Sequence, residues 1–505
     1  MRASNPREVH GIRIDIPHKG LVVLSGPAGS GKSTLAERYF TAEEIVSSDA
    51  CRAIVGQGEG DMRASPQAFQ LFYRRIEERL ARAQLVVADS TALAPSSRRK
   101  LLAIARRHEL PATLVVLAAS LDTCLRRNAA RRRRVPARVI RRHVEQLAQS
   151  LAHVDQEGFD RVYVIPDEAL RAGTVQIRRV PLPVERPESG PFDIIGDIHG
   201  CFLELVELLE RLGYRRRDSV MAHPGGRMAV FLGDLTDRGP YNVSCILLVE
   251  AMVRAGAALY VPGNHCRKLY RWLTGHRVVL QHGVERTVRE LSALPAPLRQ
   301  EVADRFRRLY EQAPPYMILD GGRLVVAHAG IKESMIGRMS RRITHFCLFG
   351  DATGERTPDG LPVRRDWARD YRGQALIVYG HTPVETAVWR HNTINIDQGC
   401  VFGGRLTAFR YPEGEIVQVE ALAPYDPRPN IRTWEAYAGM DGSGEEPASG
   451  PGGSVGDFGR ADAAEPLHIA GVSTPSAGSI SDSPTASVTV PPPVSVSNPP
   501  GPKSI

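Results

Sequence analysis

The stretch LVVLSGPAGSGKSTLAERYF, from Leu21 to Phe40, runs an apolar strand into a glycine-rich loop that opens directly into an amphipathic segment. Nothing else in the chain narrows its fold so far. Gly26 to Ser33 match G-x-x-x-x-G-K-[ST], a loop whose backbone N–H groups cradle phosphate at a helix N-terminus, with Lys32 reaching the transferred group and Ser33 on Mg²⁺. Gly26, Gly29, Gly31, Lys32, Ser33 and Thr34 are therefore the expected ATP-binding residues. Further apolar runs, EIVSSD at 44, QLVVADS at 84 and ATLVVLAAS at 112, alternate with helix-like stretches. That alternation predicts an α/β domain whose parallel sheet is covered on both faces.

The second run ends in SSDACR, which puts Asp49 at the carboxyl edge of the sheet, where open parallel sheets bind ligands. A carboxylate there can orient and deprotonate an attacking hydroxyl, or it can cap the following helix. Arg52, three residues on, faces the same way on a helical turn and can hold a substrate phosphate. In LRRNAARRRRVPARVIRRHVEQL, from 125 to 147, Arg127 and Arg131 are four apart on a predicted helix, a spacing suited to a lid that clamps a triphosphate.

After a proline-rich break, VPLPVERPESGP at 180 to 191, a different theme recurs. Apolar strands end in GDIHG (Asp197, His199), GDLTDRGP (Asp234, Asp237, Arg238), GNH (Asn264, His265), AHAG (His328) and YGHTP (His381). Phosphomonoester hydrolysis can use two metals, a bridging ligand and a proton donor for the leaving oxygen, and these motifs carry the parts. The mixed Asp/His/Asn donors favour Mn²⁺ or a similar transition metal.

These motifs resemble the phosphoprotein-phosphatase-type, calcineurin-like metallophosphoesterases. The resemblance implies Asp197, His199 and Asp234 on a first metal, Asp234 (bridging), Asn264, His328 and His381 on a second, Arg238 on the phosphate, and His265, oriented by Asp237, as proton donor. The order of modules, a P-loop domain with SSDxxR and an arginine lid followed by this one, resembles bacterial polynucleotide kinase-phosphatases, the end-healing enzymes of RNA repair. GNHCRKLYRWLTGHRVVLQHGVERTVREL, LFGDATGERTPDGLPVRRDWARDYRG and NIDQGCVFGGRLTAFRYPEGE are similar to that family's phosphatase module. By this resemblance Asp49 is the general base of a 5′-hydroxyl kinase, Arg52 binds the acceptor's phosphate, and Lys32, Arg127 and Arg131 hold the ATP phosphates. The phosphatase would remove a 2′,3′-cyclic, 3′- or 2′-phosphate, with Asp397, in NIDQGC, as a further active-site residue. Three departures stand out: Cys266 follows Asn-His where an acidic residue is usual, the RRRRVP lid is about one residue short, and the family's C-terminal ligase module is absent, so a separate ligase is expected.

The chain has 505 residues, 42% of them apolar, enough for two or three cores of ordinary size. The expected organisation is a P-loop parallel-sheet domain over 1–180, a linker over 181–191, a metallophosphoesterase domain of packed sheets flanked by helices over 192–425, and a disordered Pro/Ser/Gly-rich tail over 426–505. From Asp441 onward two basic residues meet seven acidic ones, net −5, which leaves +14 on residues 1–440 of the +9 total. So basic a folded portion suits RNA ends, or DNA ends, and is equally the mark of an arginine-rich composition with solvated side chains. The seven cysteines are scattered without a C-x-x-C pair, and no apolar run approaches the roughly 20 residues that span a bilayer. A cytoplasmic protein with reduced thiols and no membrane partner is expected, with a homodimer left open. The main alternative is a dinucleoside polyphosphate hydrolase or protein phosphatase fused to a small-molecule P-loop kinase. A regulatory ATP-binding scaffold, acting through its proline-rich tail, is a third reading that the intact Lys32, Asp49 and metal-ligand positions oppose.

Overall fold

A computed structural model describes residues 11–131, 133–217, 220–356 and 362–426. In the first module five parallel strands pair in the order Ile45–Ser47, Leu85–Asp89, Gly20–Ser25, Ala112–Ala118, Arg161–Pro166. The central strand is buried along its whole length. Because side chains alternate across a strand, Leu21 and Val23 face a cluster containing Phe72, Ile76 and Leu101, while Val22 and Leu24 face Leu35, Phe40 and Ile165. Both faces being apolar explains why the strand reads as an unbroken hydrophobic run.

The second module holds two mixed five-stranded sheets. One is ordered Ala258–Tyr260, Met228–Phe231, Phe192–Ile195, Arg405–Tyr411, Glu415–Glu420, and the other Tyr316–Leu319, Leu324–Ala327, Leu376–Tyr379, Thr393–Asn395, Val388–Arg390. Ile194, Val230, Leu232 and Phe409 of the first pack with Leu324, Val326, Val378 and Ile394 of the second to form the inter-sheet core. Helices Phe202–Arg211, Asn242–Arg254 and Ala296–Gln312 cover the outer face of the first sheet. The carboxyl ends of the inner strands thus converge at one rim, and the loops that follow them build the site.

The segment expected as a linker is packed. Leu182 and Val184 are fully buried, and the Val184 carbonyl accepts the Ile318 N–H at 2.7 Å. Apolar residues at alternate positions in VPLPV dock on the sheet edge, which the prolines obscure in the sequence. The two modules also touch directly. Arg338 donates to the carbonyls of His108 (2.6 Å) and Ala81 (2.9 Å), and Glu109 accepts from Ser340 (2.7 Å) and from Arg342 at 2.8 and 2.7 Å. Every described residue falls within one compact unit. Asp426, expected as the first residue of the tail, is instead buried, and its N–H reaches the Val401 carbonyl at 3.0 Å; positions 427–505, where the rest of the expected tail falls, lie outside the described residues. Among the described residues no helix is long and apolar enough to cross a membrane.

Candidate active sites

The glycine-rich loop folds as its sequence requires. Gly29 and Gly31 take φ of +86° and +102°, and a Cβ on Gly29 would stand 2.5 Å from the Cys124 carbonyl. Helix Lys32–Tyr39 follows, with Lys32, Ser33, Gly29 and Gly31 lining a cavity of about 1220 Å³. Lys32 Nζ donates to the carbonyls of Gly26 (2.8 Å) and Pro27 (2.9 Å), and burial pulls its ammonium down to about 8. Thr34 is exposed on the first turn, and Gly26 anchors the loop by donating to Thr91.

Asp49 lines the same cavity. It does not cap helix Ser48–Val55, since Ser47 does, accepting from Ala50. Its carboxylate meets Arg52 at 2.6 Å and Arg133 at 3.2 Å. Arg52 is buried and also donates to the Glu59 carbonyl (2.9 Å) and Ser65 (3.3 Å), so it holds Asp49 in place before it can serve a phosphate.

The lid differs from expectation. Helix Leu121–Ala129 ends before Arg131, so Arg127 and Arg131 do not share a helix face. Arg127 donates to the carbonyls of Ser30 (2.7 Å) and Leu170 (3.0 Å), bracing the loop from behind, while Arg131 and Arg133 line the cavity. Sequence reasoning also missed Asp89, at the end of the neighbouring strand, whose carboxylate accepts the Ser33 hydroxyl at 2.8 Å. Burial raises Asp89, against the pull of Lys32 and Ser33. An apolar strand ending in Asp beside a phosphate loop was the available signal, in VVAD. Ser33 and Asp89 together suit the Mg²⁺ of an ATP complex.

In the second module the ten expected residues gather at the rim. His199 Nε2 lies 3.7 Å from Asp234 Oδ2, and His328 Nε2 lies 3.4 Å from the same oxygen, 2.9 Å from Asn264 Oδ1 and 3.0 Å from His381 Nδ1. Two ligand-competent groups result, His199/Asp234/His265 and Asp234/His328/His381, with Asp234 common to both. Asp197 belongs to neither; it accepts the His381 N–H at 3.2 Å and stands 3.8 Å from His328 Nδ1. Asp397 is buried nearby, accepting from the Gly399 N–H at 3.0 Å. His265 Nδ1 lies 2.7 Å from Asp237, leaving Nε2 toward Arg238 at 3.4 Å. Cys266 does not disturb this orientation: its thiol is buried, pushed up to about 12 by that burial, and accepts the Leu235 N–H.

The electrostatics fit cations. Burial, then repulsion from Asp397 and Asp234, pushes Asp197 well above the carboxylate range, and burial lifts Asp397 to about 7. Burial acts the same way on Asp234, but the surrounding histidines, His328 foremost, hold it low. His199 is pulled down to about 3, chiefly by burial, and burial also lowers His328 and His381, which keeps the imidazoles in the neutral form that ligates metal. Nε2 of His381 is buried with no protein partner among the described residues, as an atom reserved for an ion is. His199, Asp234, Asp237, Arg238 and His381 all take positive φ, from 38° to 79°, at about 1–3 kcal/mol each. Gly380 is obligatory because a Cβ there would lie 2.4 Å from Asp197 Oδ1.

Comparison with known proteins divides the chain at the same place. Residues 21–154 match the family described as AAA domain, and residues 190–413 match the calcineurin-like phosphoesterases. The asymmetrical bis(5'-nucleosyl)-tetraphosphatase PrpE of Anoxybacillus flavithermus is 53% identical over 234 residues, covering 46% of this chain and 96% of the relative. Its counterpart in Geobacillus thermodenitrificans is 55% identical over 235 residues (46% and 96%), and that of Bacillus subtilis 52% over 235 residues (46% and 96%). Through its second module, and with a kinase-like P-loop domain ahead of it, the chain belongs to the calcineurin-like phosphoesterase family.

Proposed function

We propose that the chain is a bifunctional nucleic-acid end-healing enzyme: an ATP-dependent 5′-hydroxyl polynucleotide kinase joined to a metal-dependent phosphatase of 2′,3′-cyclic and 3′-phosphate ends, acting on RNA breaks, with DNA ends as further substrates. The observation that carries this reading is Asp49, an arginine-held carboxylate in the same cavity as Lys32, Ser33 and Asp89. ATP binding alone has no use for a positioned base, whereas transfer to a hydroxyl does. Asp49 takes the proton of the attacking 5′-hydroxyl, while Lys32 and Arg131 hold the ATP phosphates.

In the second module Asp197, His199, Asp234, Asn264, His328 and His381 would hold two divalent cations, probed first as Mn²⁺, which supply Lewis-acid polarisation of the phosphate and an activated water when bound. The protein's own groups do the rest. Arg238 binds the phosphate, Asp237 fixes the tautomer of His265, and His265 Nε2 delivers a proton to the leaving oxygen. Two opposed activities then treat opposite ends of one break and leave both fit for a separate ligase.

A second reading, hydrolysis of dinucleoside polyphosphates, is favoured by the name the relatives bear; protein dephosphorylation has no such support. The test is an oligoribonucleotide with a 5′-hydroxyl and a 2′,3′-cyclic phosphate, incubated with labelled ATP, Mg²⁺ and Mn²⁺. Label gained at one end and phosphate lost from the other is the expected result, with Asp49→Ala abolishing only the first and Asp234→Asn only the second. An untouched oligonucleotide alongside a cleaved dinucleoside tetraphosphate would replace this reading with the second.

A further inference from the structure

The last described residue reaches into the phosphatase site. Asp426 is 5% exposed, follows a strand that ends at Glu420, and meets Arg238 Nη1 with Oδ2 at 3.3 Å. Its segment is tied down at Tyr425 and at Asp426 itself. The Asp426 N–H donates to Val401, Tyr425 Oη donates to Glu204 at 2.9 Å, and Arg286 holds the Tyr425 carbonyl at 2.9 Å. Arg238 itself stacks over Phe402, 5.1 Å from the ring centre.

A guanidinium is planar, and its Nε–H and Nη2 share one edge, the edge that grips two phosphate oxygens at once. Asp426 takes Nη1, outside that edge. On the gripping edge, Nε is buried with no partner among the described residues, and Nη2 points toward His265 Nε2 at 3.4 Å. A buried donor without an acceptor costs roughly 1–3 kcal/mol, which a fold tolerates where a ligand completes the bond. The arrangement holds one end of the fork and offers the other beside the proton donor.

We propose that Asp426 is a positioning residue of the phosphatase, locking Arg238 so that its Nε–Nη2 edge faces the phosphate next to His265; this rests on Arg238 binding phosphate, as proposed above. The stretch after Glu420 thereby completes a site whose other residues lie between 197 and 397. The opposite possibility, a carboxylate that competes with phosphate for Arg238, predicts the reverse sign.

The full chain with Mn²⁺ is assayed on a nucleoside 3′-phosphate, and inhibition by inorganic phosphate is measured in parallel. Asp426→Asn is expected to raise the inhibition constant for phosphate and lower kcat/KM, each by about tenfold, since a fork left unheld loses its geometry. Asp426→Glu should recover part of the loss. Tyr425→Phe, which loosens the same segment without touching Arg238, is the control for packing. Unchanged phosphate affinity in Asp426→Asn, a gain in activity, or an equal loss in Tyr425→Phe would each overturn the proposal. A wild-type chain that turns over no phosphomonoester and is not inhibited by phosphate defeats the phosphatase reading itself.

Discussion

Nδ1 of His265 lies 2.7 Å from Oδ2 of Asp237, whose other oxygen accepts the Thr287 hydroxyl at 2.6 Å. A buried carboxylate so held accepts the Nδ1–H, which leaves Nε2 as the nitrogen that takes up a proton and passes it to the leaving oxygen. Asp237→Asn should lower phosphatase kcat by about 10²-fold with a smaller change in KM, in the range that general acid catalysis contributes. Thr287→Val should fall between the two. Steady-state kinetics decide this, and an undiminished kcat in Asp237→Asn would remove His265 from the role of acid.

Asp89, found only in the structure, yields a kinase prediction. Because its carboxylate meets Ser33 where Mg²⁺ of an ATP complex would sit, Asp89→Asn should reduce 5′ phosphorylation by about 10²-fold or more and raise the Mg²⁺ needed for half-maximal rate. Phosphatase turnover by the same protein should match wild type. A parallel loss in both reactions would mean that Asp89 supports the fold.

Lys32 has a pH signature. Its folded value of about 8 lies below the ordinary 10.5, so between those pH values the unfolded chain binds the extra proton. Stability therefore rises with pH across that window on account of Lys32, by about 3 kcal/mol if the whole shift is expressed. Thermal melting of nucleotide-free wild type and Lys32→Met between pH 7 and 10.5 checks it: the variant should lack this rise, and parallel curves would contradict it.

Arg75 lines the P-loop cavity from helix Ser65–Ala81, half-buried and with no hydrogen bond or ion pair among the described residues. Arg79, one turn on, lines it too and donates to the Ile45 carbonyl at 3.2 Å. Like charges at this spacing repel, which an acceptor phosphate would relieve. Arg75→Gln should weaken oligonucleotide binding and reduce the slope of log affinity against log salt by about one. Titrations by fluorescence anisotropy at several KCl concentrations measure both, and an unchanged slope would place the acceptor strand elsewhere.

What could be read in advance was local. The phosphate loop is legible because strand, glycines, lysine and helix lie within twenty consecutive positions of the chain, and Gly29 can adopt its φ only as glycine. Asp197, Asp234, Asn264, His328 and His381 are legible for the same reason, each sitting just past an apolar strand. The arginine lid misled because four-residue spacing implies one helix face only while the helix lasts, and this one stops at Ala129.

The sequence by itself determined the two modules, their order along the chain and the apolar strands whose ends carry the motifs, since backbone propensity and hydrophobic period act between near neighbours. The tertiary structure alone decided which side chains share a charge. Asp426 and Arg238 are 188 residues apart, and Glu109 and Arg342 233. Such pairs leave no periodic trace, because an ion pair constrains only the two ends of a loop and says nothing of the chain between them. They form where strand order and helix packing bring distant segments into register, and there they turn a set of ligands into an oriented site.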